Sequence, residues 1–528
     1  MPSANQLFVS VAVFAVSVML PLSRVPAAEQ GPPLSLDDSP FCVQELFEPF
    51  EIIRNGKITN PVLVKGLGQP DGHGRSPEDI DAELFFDFIG RNARDLGIHW
   101  SRTDVTGGLW QFLIERESGR YDWSGTDAVI MAQRKWGINL VCRISPGTAG
   151  NDADRQEPPK PAFPDDIERY RRFVRTGVER YDGDGIDDAS GSPRVACWQI
   201  HNEPDGPQFW QDTPERFAQL HRITSEEIKA ADPTAVIVLA GCATHAGLNR
   251  FFKPLLADLG RDGKHWFDIA DLHFNQPEFW PSPQGDYRGL TRAVTDFRAE
   301  LDKNGFDDAP IWITECGVYS NQPPAGGPFD QGPRGLLPLV TEHDHAADLV
   351  RRYVLALSLG VRKVFWNGML ERFAERGNGY FAHTGLIYDA RFDPSHVAFG
   401  EKKLAFYAYQ KMVQMLRASD WDRLQVLRNG SDGVFCVRFP RKGASGSVVV
   451  AWAAPSKEEK GQTHWLGRNI EFPVERPSNQ PVAVVSVPLG QAGAGLSPEN
   501  LVFEEVPLQV RNGVGTITIG TTPVYIEY

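Results

Sequence analysis

The sequence predicts an α/β fold: a (β/α)8 barrel followed by a small C-terminal antiparallel β-sandwich. Three observations carry this expectation. From about residue 60 to 418, short apolar runs alternate with segments of helical periodicity. Several of those runs are almost continuously apolar, as expected of parallel strands covered on both faces. After about residue 419 the helical periodicity stops, and short strand-like runs alternate with Gly, Pro, Asn and Ser turns. Eight strand–helix units in series point to a closed barrel.

The elements follow in chain order. Residues 7–22, LFVSVAVFAVSVMLPL, form one apolar run, and Val25-Pro26-Ala27-Ala28 supplies the small residues of a cleavage site. Residues 1–28 therefore read as a signal peptide and the mature chain as exported, periplasmic or extracellular. MPSANQ brings no Lys or Arg, so an uncleaved membrane anchor is the alternative. No later stretch is long and apolar enough to span a bilayer. Residues 29–58, Pro-rich and then partly apolar, read as a lead-in segment packed on one of two domains. The barrel is expected over 59–418 and the β-domain over 419–528.

The barrel strands are predicted at PVLVKG (61–66), GIHWSRTDV (97–105), GINLVCRIS (137–145) and RVACWQIHNE (194–203), then AVIVLAG (235–241), FDIADLHFN (267–275), PIWITE (310–315) and VRKVFWNG (361–368). Thr213-Pro214-Glu215 opens a helix with a capping residue and Pro at its first position. That helix stops at Ala231-Asp232-Pro233. Another helix starts at Thr341 with an acidic first turn and ends at Leu359-Gly360. ERYRRFVRTGVERY and LTRAVTDFRAEL also carry helical periodicity. A doubly wound open sheet is the alternative, but it would bring a Gly-rich phosphate turn. KGLGQPDGHG does not match GxGxxG, and its Pro disfavours the helix that motif opens. In the last segment, GVFCVRF, SVVVAW, VAVVSV, LVFEEV, GTITIG and VYIEY read as strands.

Composition narrows the partners. Hydrophobic residues at 41% and charged residues at 23% are those of a soluble globular protein. The formal charge of −14, from 54 basic and 68 acidic residues, argues against a nucleic-acid backbone as partner. A neutral substrate fits without electrostatic conflict. Cys42, Cys142, Cys197, Cys242, Cys316 and Cys436 form no CxxC pair, so a zinc site is not expected. Export permits disulfides, yet Cys142, Cys197, Cys242 and Cys316 lie in or beside predicted strands, where small buried thiols are the simpler reading. Asp182-Gly183-Asp184-Gly185-Ile186-Asp187-Asp188 resembles part of a calcium loop but lacks the first ligand position and the closing Glu, so a solvated turn is favoured. His343-x-His345 is spaced two apart on a helix and does not share a face, which speaks against a metal.

In a barrel of this kind chemistry sits at the C-terminal strand ends. Strand four ends in His201-Asn202-Glu203-Pro204 and strand seven in Thr314-Glu315-Cys316-Gly317. Strand two ends near Arg102, strand six at His273 and Asn275, strand eight at Trp366 and Asn367. Two carboxylates on opposed strands are what glycoside hydrolysis requires, one holding a proton and the other ionised. A narrow barrel can hold them about 5–5.5 Å apart, the separation for retention. Either Glu alone reads equally well as a helix cap or an Arg partner; the joint pattern is what chance does not supply.

WQIHNEPD and WITECG resemble the strand-four and strand-seven signatures of clan A glycoside hydrolases, with families 39 and 5 most similar. TEHDHAADLVRRYVLALSLGVRKVFWNG and EKKLAFYAYQKMV resemble the last barrel unit and final helix of such enzymes, and GTITIGTTPVYIEY their small β-sandwich. The resemblance spans most of 60–420. It implies that Glu203 is the acid/base and Glu315 the nucleophile. It further implies that Asn202 bonds the sugar 2-hydroxyl, that Arg102 keeps the nucleophile ionised, and that Trp366 is a sugar platform, often with a cis peptide. His273 matches the strand-six His. That strand usually reads His-x-Tyr, with the Tyr bonding the nucleophile, whereas Asn275 stands at the Tyr position here. His201 reads as a cleft residue or, in preference, as a satisfied core histidine. Trp110, Trp210, Phe279, Trp280 and Tyr319 lie on loops that shape the cleft, Trp210 and Trp280 being the leading candidates for a stacked glycan.

The expected activity is retaining hydrolysis of β-linked oligo- or polysaccharides without metal or organic cofactor. A transglycosylase on the same site and a non-catalytic carbohydrate-binding barrel are the alternatives.

Overall fold

The computed structural model describes residues 39–47, 53–54, 57–58, 82–103, 108–146, 162–275, 288–323, 337–371, 379–388, 400–443, 446–454, 468–474 and 482–528. The apolar run at 7–22, the strand expected at 61–66 and the segment KGLGQPDGHG lie outside the described residues, as do Phe279 and Trp280.

Eight parallel strands make the barrel: β1 (Phe41–Gln44), β2 (Trp100–Arg102), β3 (Asn139–Ser145), β4 (Cys197–Ile200), β5 (Val236–Val238), β6 (Ala270–Phe274), β7 (Ile311–Cys316) and β8 (Lys363–Asn367); a ninth strand of the same sheet, Leu109–Trp110, pairs with β3. Their spatial order is β5-β4-β3-β2-β1-β8-β7-β6. Parallel bridges Val238–Ile269 and Cys242–Leu272 join β5 to β6 and close the ring. A helix follows each strand: α1 (Ala82–Leu96), α2 (Ser124–Lys135), α3 (Ile167–Glu179), α4 (Pro214–Ala231), α5 (Lys253–Leu259), α6 (Arg288–Lys303), α7 (Glu342–Ser358) and α8 (Leu404–Leu416). The fold is a (β/α)8 barrel. The caps at Thr213 and Thr341 are made: their hydroxyls accept from the backbone N–H groups of Arg216 and Asp344.

Strands two to eight lie where the apolar runs place them. The first does not. Phe41–Gln44, within the expected lead-in, pairs in parallel with both β8 and β2 and is the barrel's first strand. Four residues, FCVQ, are too short to show a periodicity, which is why the sequence conceals them.

Side chains alternate along the strands. Cys42, Trp100, Val141, Cys197, Val238, Ile269, Trp312 and Phe365 point inward and form one apolar cluster. Phe41, Val43, Trp198, Ile200, Ile313 and Val364 belong instead to the cluster beneath the helices. Within the barrel, Trp312 meets Trp100 edge-on at 5.4 Å between ring centroids, and the Lys363 ammonium lies 4.7 Å from the Trp100 ring. This aromatic plug fills the lower barrel and leaves the polar residues to the upper end.

The C-terminal domain is a sandwich. Strands β9 (Gln425–Asn429), β10 (Val434–Pro440), β11 (Ser447–Ala453), β12 (Arg468–Pro473), β13 (Val482–Val485), β14 (Leu508–Arg511), β15 (Val514–Ile519) and β16 (Val524–Glu527) form two antiparallel sheets. Their orders are β9-β10-β11-β16-β13 and β12-β15-β14. LVFEEV is not a strand; it touches β13 through a single bridge, Val484–Glu505. The larger sheet is buried on both faces. Val434, Cys436, Val449 and Ala451 pack on the smaller sheet, while Phe435, Val437, Val450 and Trp452 join the cluster continuous with the barrel helices. All six cysteines are buried free thiols, in keeping with the simpler reading of Cys142, Cys197, Cys242 and Cys316.

Candidate active site

Four strand ends, those of β2, β4, β6 and β7, converge at the upper barrel. Arg102, fully buried at the end of β2, spreads its guanidinium over three partners. It donates to Glu315 Oε1 at 2.7 Å, Asn202 Oδ1 at 2.5 Å and Gln199 Oε1 at 2.5 Å. Glu315 accepts on its other oxygen from Asn275 Nδ2 at 3.3 Å. Both Glu315 oxygens are thus held by donors, and Asn275 reaches Glu315 despite being shorter than Tyr.

Two backbone irregularities aim the glutamates. At the end of β4, His201 adopts a left-handed conformation (φ 70°), which breaks the strand alternation just before Asn202 and Glu203. In β7 the register against both neighbours slips by one residue between Ile313 and Cys316. That bulge turns Thr314 and Glu315 toward the same interior, the kind of re-aiming for which bulges are used. The displaced Thr314 N–H finds Asp271 Oδ1 at 2.9 Å.

His273 links the two carboxylates. Its Nδ1 lies 2.8 Å from Glu203 Oε1 and 3.7 Å from Glu315 Oε1. Its Nε2 lies 3.1 Å from Asp271 Oδ2 and 3.1 Å from Thr314 Oγ1. Burial opposes a charge on the ring, but the carboxylates of Glu315 and Asp271, and the bond to Glu203, lift it to about 10. Burial likewise pushes the Glu203 carboxyl above its ordinary range; His273 pulls it down, and the Glu315 charge adds to the rise. Glu203, Glu315 and His273 each bring one oxygen or nitrogen within 4.8 Å of the others. The glutamate side chains remain slightly open, at 16% and 11% exposure.

The other expected site residues go elsewhere. His201 is a core histidine. Its ring packs against Trp210 and Phe217, its Nδ1 accepts from the Asn202 N–H, and burial with the Arg143 charge holds it down to about 3. Trp210 is 3% exposed, edge-on to Phe217, with its indole N–H on Thr213 O. Trp366 is fully buried and stacks on Tyr353 of α7, its N–H donating to Thr384 O. Among the described residues no peptide bond is cis. Tyr319 is buried against Tyr380 and donates to Pro338 O. None of these three rings offers an open face. Each sits where an apolar ring lowers the free energy most, inside the packing. Trp110 is only half-buried, with the Arg143 guanidinium 4.8 Å over its ring.

Three members of the cluster escape a reading of strand ends alone: Gln199, Asp271 and Thr314. Period-two alternation would have found Asp271, two residues before His273, whereas the break at His201 hides Gln199 from a count back from Glu203. Glu179, Asp182 and Asp184 bring oxygens within 4.8 Å of one another at the aspartate-rich turn. There Asp188 accepts from the N–H groups of Gly183 and Gly185, and Asp184 from that of Ile186, as in a self-satisfied turn. His343 approaches Thr522 while His345 packs on Trp366, so the two do not meet at one site.

No protein-family model and no curated protein matches the sequence. Solved structures do match the fold. The chain is similar to a family 39 glycoside hydrolase from Bacteroides cellulosilyticus WH2, at 17% identity and TM-score 0.57, over 84% of this chain and 77% of that one. It is similar to a glucosidase from Croceicoccus marinus, at 16% identity and TM-score 0.52, over 92% and 98% of the two chains. It is also similar to an alpha-L-arabinofuranosidase from Thermotoga maritima, at 13% identity and TM-score 0.54, over 84% and 89%. At such identities the likeness is one of fold.

Proposed function

We propose that the chain is a glycoside hydrolase that cleaves β-linked saccharides with retention, by double displacement. The observation that carries this reading is the separation of the two carboxyls. Oxygens of Glu203 and Glu315 approach within 4.8 Å. That closeness is in keeping with a nucleophile and an acid/base about 5–5.5 Å apart rather than with the roughly 6.5–9.5 Å of inverting enzymes. The solved structures of similar fold, whose names describe glycoside hydrolases, support it.

The residues divide the work. Glu315, gripped by Arg102 and Asn275, attacks the anomeric carbon. Glu203, raised by burial, gives its proton to the leaving oxygen. The C–O bond to the aglycone breaks as the bond to Glu315 forms. Glu203, now a carboxylate, takes a proton from water, whose oxygen displaces Glu315 from the same face the aglycone left. Asn202, fixed by Arg102, is placed to bond a sugar hydroxyl. The apolar run at 7–22 supports export, and among the described residues no helix is long and apolar enough to cross a membrane.

The test uses Glu315→Gly and Glu203→Gln on a panel of aryl β-glycosides. Both should lose at least about 10²–10⁴-fold in kcat, and Glu203→Gln should also lose the basic limb of the pH profile. Unchanged turnover in either variant would sink the assignment.

A further inference from the structure

Beneath the two glutamates lies a third carboxylate that the mechanism above does not use. Asp271 is fully buried on β6. Its oxygens take the Thr314 N–H at 2.9 Å, the Thr314 hydroxyl at 2.6 Å, the Gln199 amide at 2.5 Å and His273 Nε2 at 3.1 Å. Four polar groups surround the carboxyl and three of them are donors, which suits the acceptor role of a carboxylate. Two of the four come from the bulged residue beside the nucleophile position. A third belongs to the ring whose other nitrogen touches Glu203.

We propose that Asp271 is a positioning residue for both glutamates. Through Thr314 it holds the bulge that aims Glu315, and through His273 Nε2 it keeps the imidazole protonated with Nδ1–H on Glu203. This rests on the glycosidase reading for its catalytic meaning, but not for its chemistry.

Charge balance gives the reason. The groups facing His273 are Glu203 and Asp205 from the end of β4, Glu315 from β7 and Asp271 on its own strand; Arg102 of β2 pairs with Glu315. Cys242, beyond β5, is held as a neutral thiol by burial. Asp205 is further served by the Ala243 N–H and the Thr244 hydroxyl. Arg102 and His273 supply two cations against the carboxylates of Asp271, Glu315 and Asp205, so negative charge is already in excess before Glu203 ionises. A buried cluster resists net charge, which favours the protonated acid that the first displacement needs. Remove the Asp271 charge and that excess is gone. His273 or Glu203 then gives up a proton at lower pH.

Histidine-selective 15N NMR of the whole protein tests this, with the His273 resonance assigned from His273→Gln. In the unaltered protein His273 should be an imidazolium at pH 7. In Asp271→Asn it should titrate at least about one pH unit lower, the usual effect of losing an adjacent opposite charge. The basic limb of kcat/KM should move down with it. A neutral His273 at pH 7 in the unaltered protein overturns the proposal without any variant. So does an Asp271→Asn protein whose melting temperature falls while the His273 titration and the basic limb stay in place, since that describes packing alone. If the unaltered protein turns over no glycoside, the functional reading fails, yet the titration still decides the role of Asp271.

Discussion

Gly241, just past β5, shows how tightly the site is built at the scale of one residue. A Cβ added there would overlap Nε2, Cδ2 and Cε1 of His273. The ring cannot retreat, because its nitrogens are engaged by Glu203 on one side and by Asp271 and Thr314 on the other. Glycine is thus required for space. Gly241→Ala should destabilise the protein by about 1–3 kcal/mol, the ordinary cost of overpacking. It should lower kcat/KM by about 10²-fold through the displaced imidazole, as an ångström-scale misplacement does. Thermal melting and steady-state kinetics check both. A variant with normal activity would show that the ring has room to move. His273 also ties stability to pH. Its folded-state pKa is raised, so its contribution is fully present below the unfolded value and is lost as pH climbs through about 10.

At the scale of elements, the bulge of β7 is where local irregularity becomes chemistry. Thr314 supplies two bonds to Asp271, one from its backbone and one from its hydroxyl. Thr314→Val keeps the first and loses the second. Stability should fall by about 1–2 kcal/mol, and kcat should fall with KM little changed, because the loosened bulge misaims Glu315 without touching bound sugar. A rise in KM alone would place the hydroxyl on the substrate instead. The sequence reveals such elements unevenly. Apolar runs locate strands β2 to β8, and reading their C-terminal ends yields Arg102, Asn202, Glu203, His273, Asn275 and Glu315, which do converge. Strand β1 escapes because FCVQ carries no repeat. The bulge escapes because a one-residue slip leaves no mark in composition. Asp271 and Gln199 escape a reading of strand ends because they lie one turn of the pleat below them. The aromatic residues mislead for another reason: Trp210, Trp366 and Tyr319 sit at the right places in the chain, but a ring beside a cleft gains more by burial than by waiting for a sugar.

At the scale of the whole molecule, the β-domain and the barrel form one packing unit. The larger sheet of the sandwich turns Phe435, Val450 and Trp452 into the apolar cluster that runs on through α7 and α8. Fully burying such side chains contributes about 1.5–3 kcal/mol each. Polar ties reinforce the seam. Glu342, at the start of α7, accepts from the N–H groups of Leu404 at the start of α8 and of Gly493 in the β-domain, both at 2.8 Å. Gln322, beyond the end of β7, donates to Gln491 O at 2.8 Å while its own side-chain oxygen takes the Glu342 N–H. Tyr407 of α8 donates to Leu496 O at 2.7 Å. The segment that follows Glu315 is therefore braced, through Gln322 and Glu342, by the β-domain. A seam that is apolar and also hydrogen-bonded makes independent melting of its two sides unfavourable, unlike the polar interfaces across which domains usually move. The full chain should then unfold in a single calorimetric transition, with glycosidase activity lost across that same transition. A chain ending at residue 418 should be insoluble or melt well below the full chain, because α7 and α8 lose their cover and Glu342 keeps a buried carboxyl short of a donor. Two resolved transitions, with activity surviving the first, would show instead that the barrel stands alone and that the sandwich only rides on it.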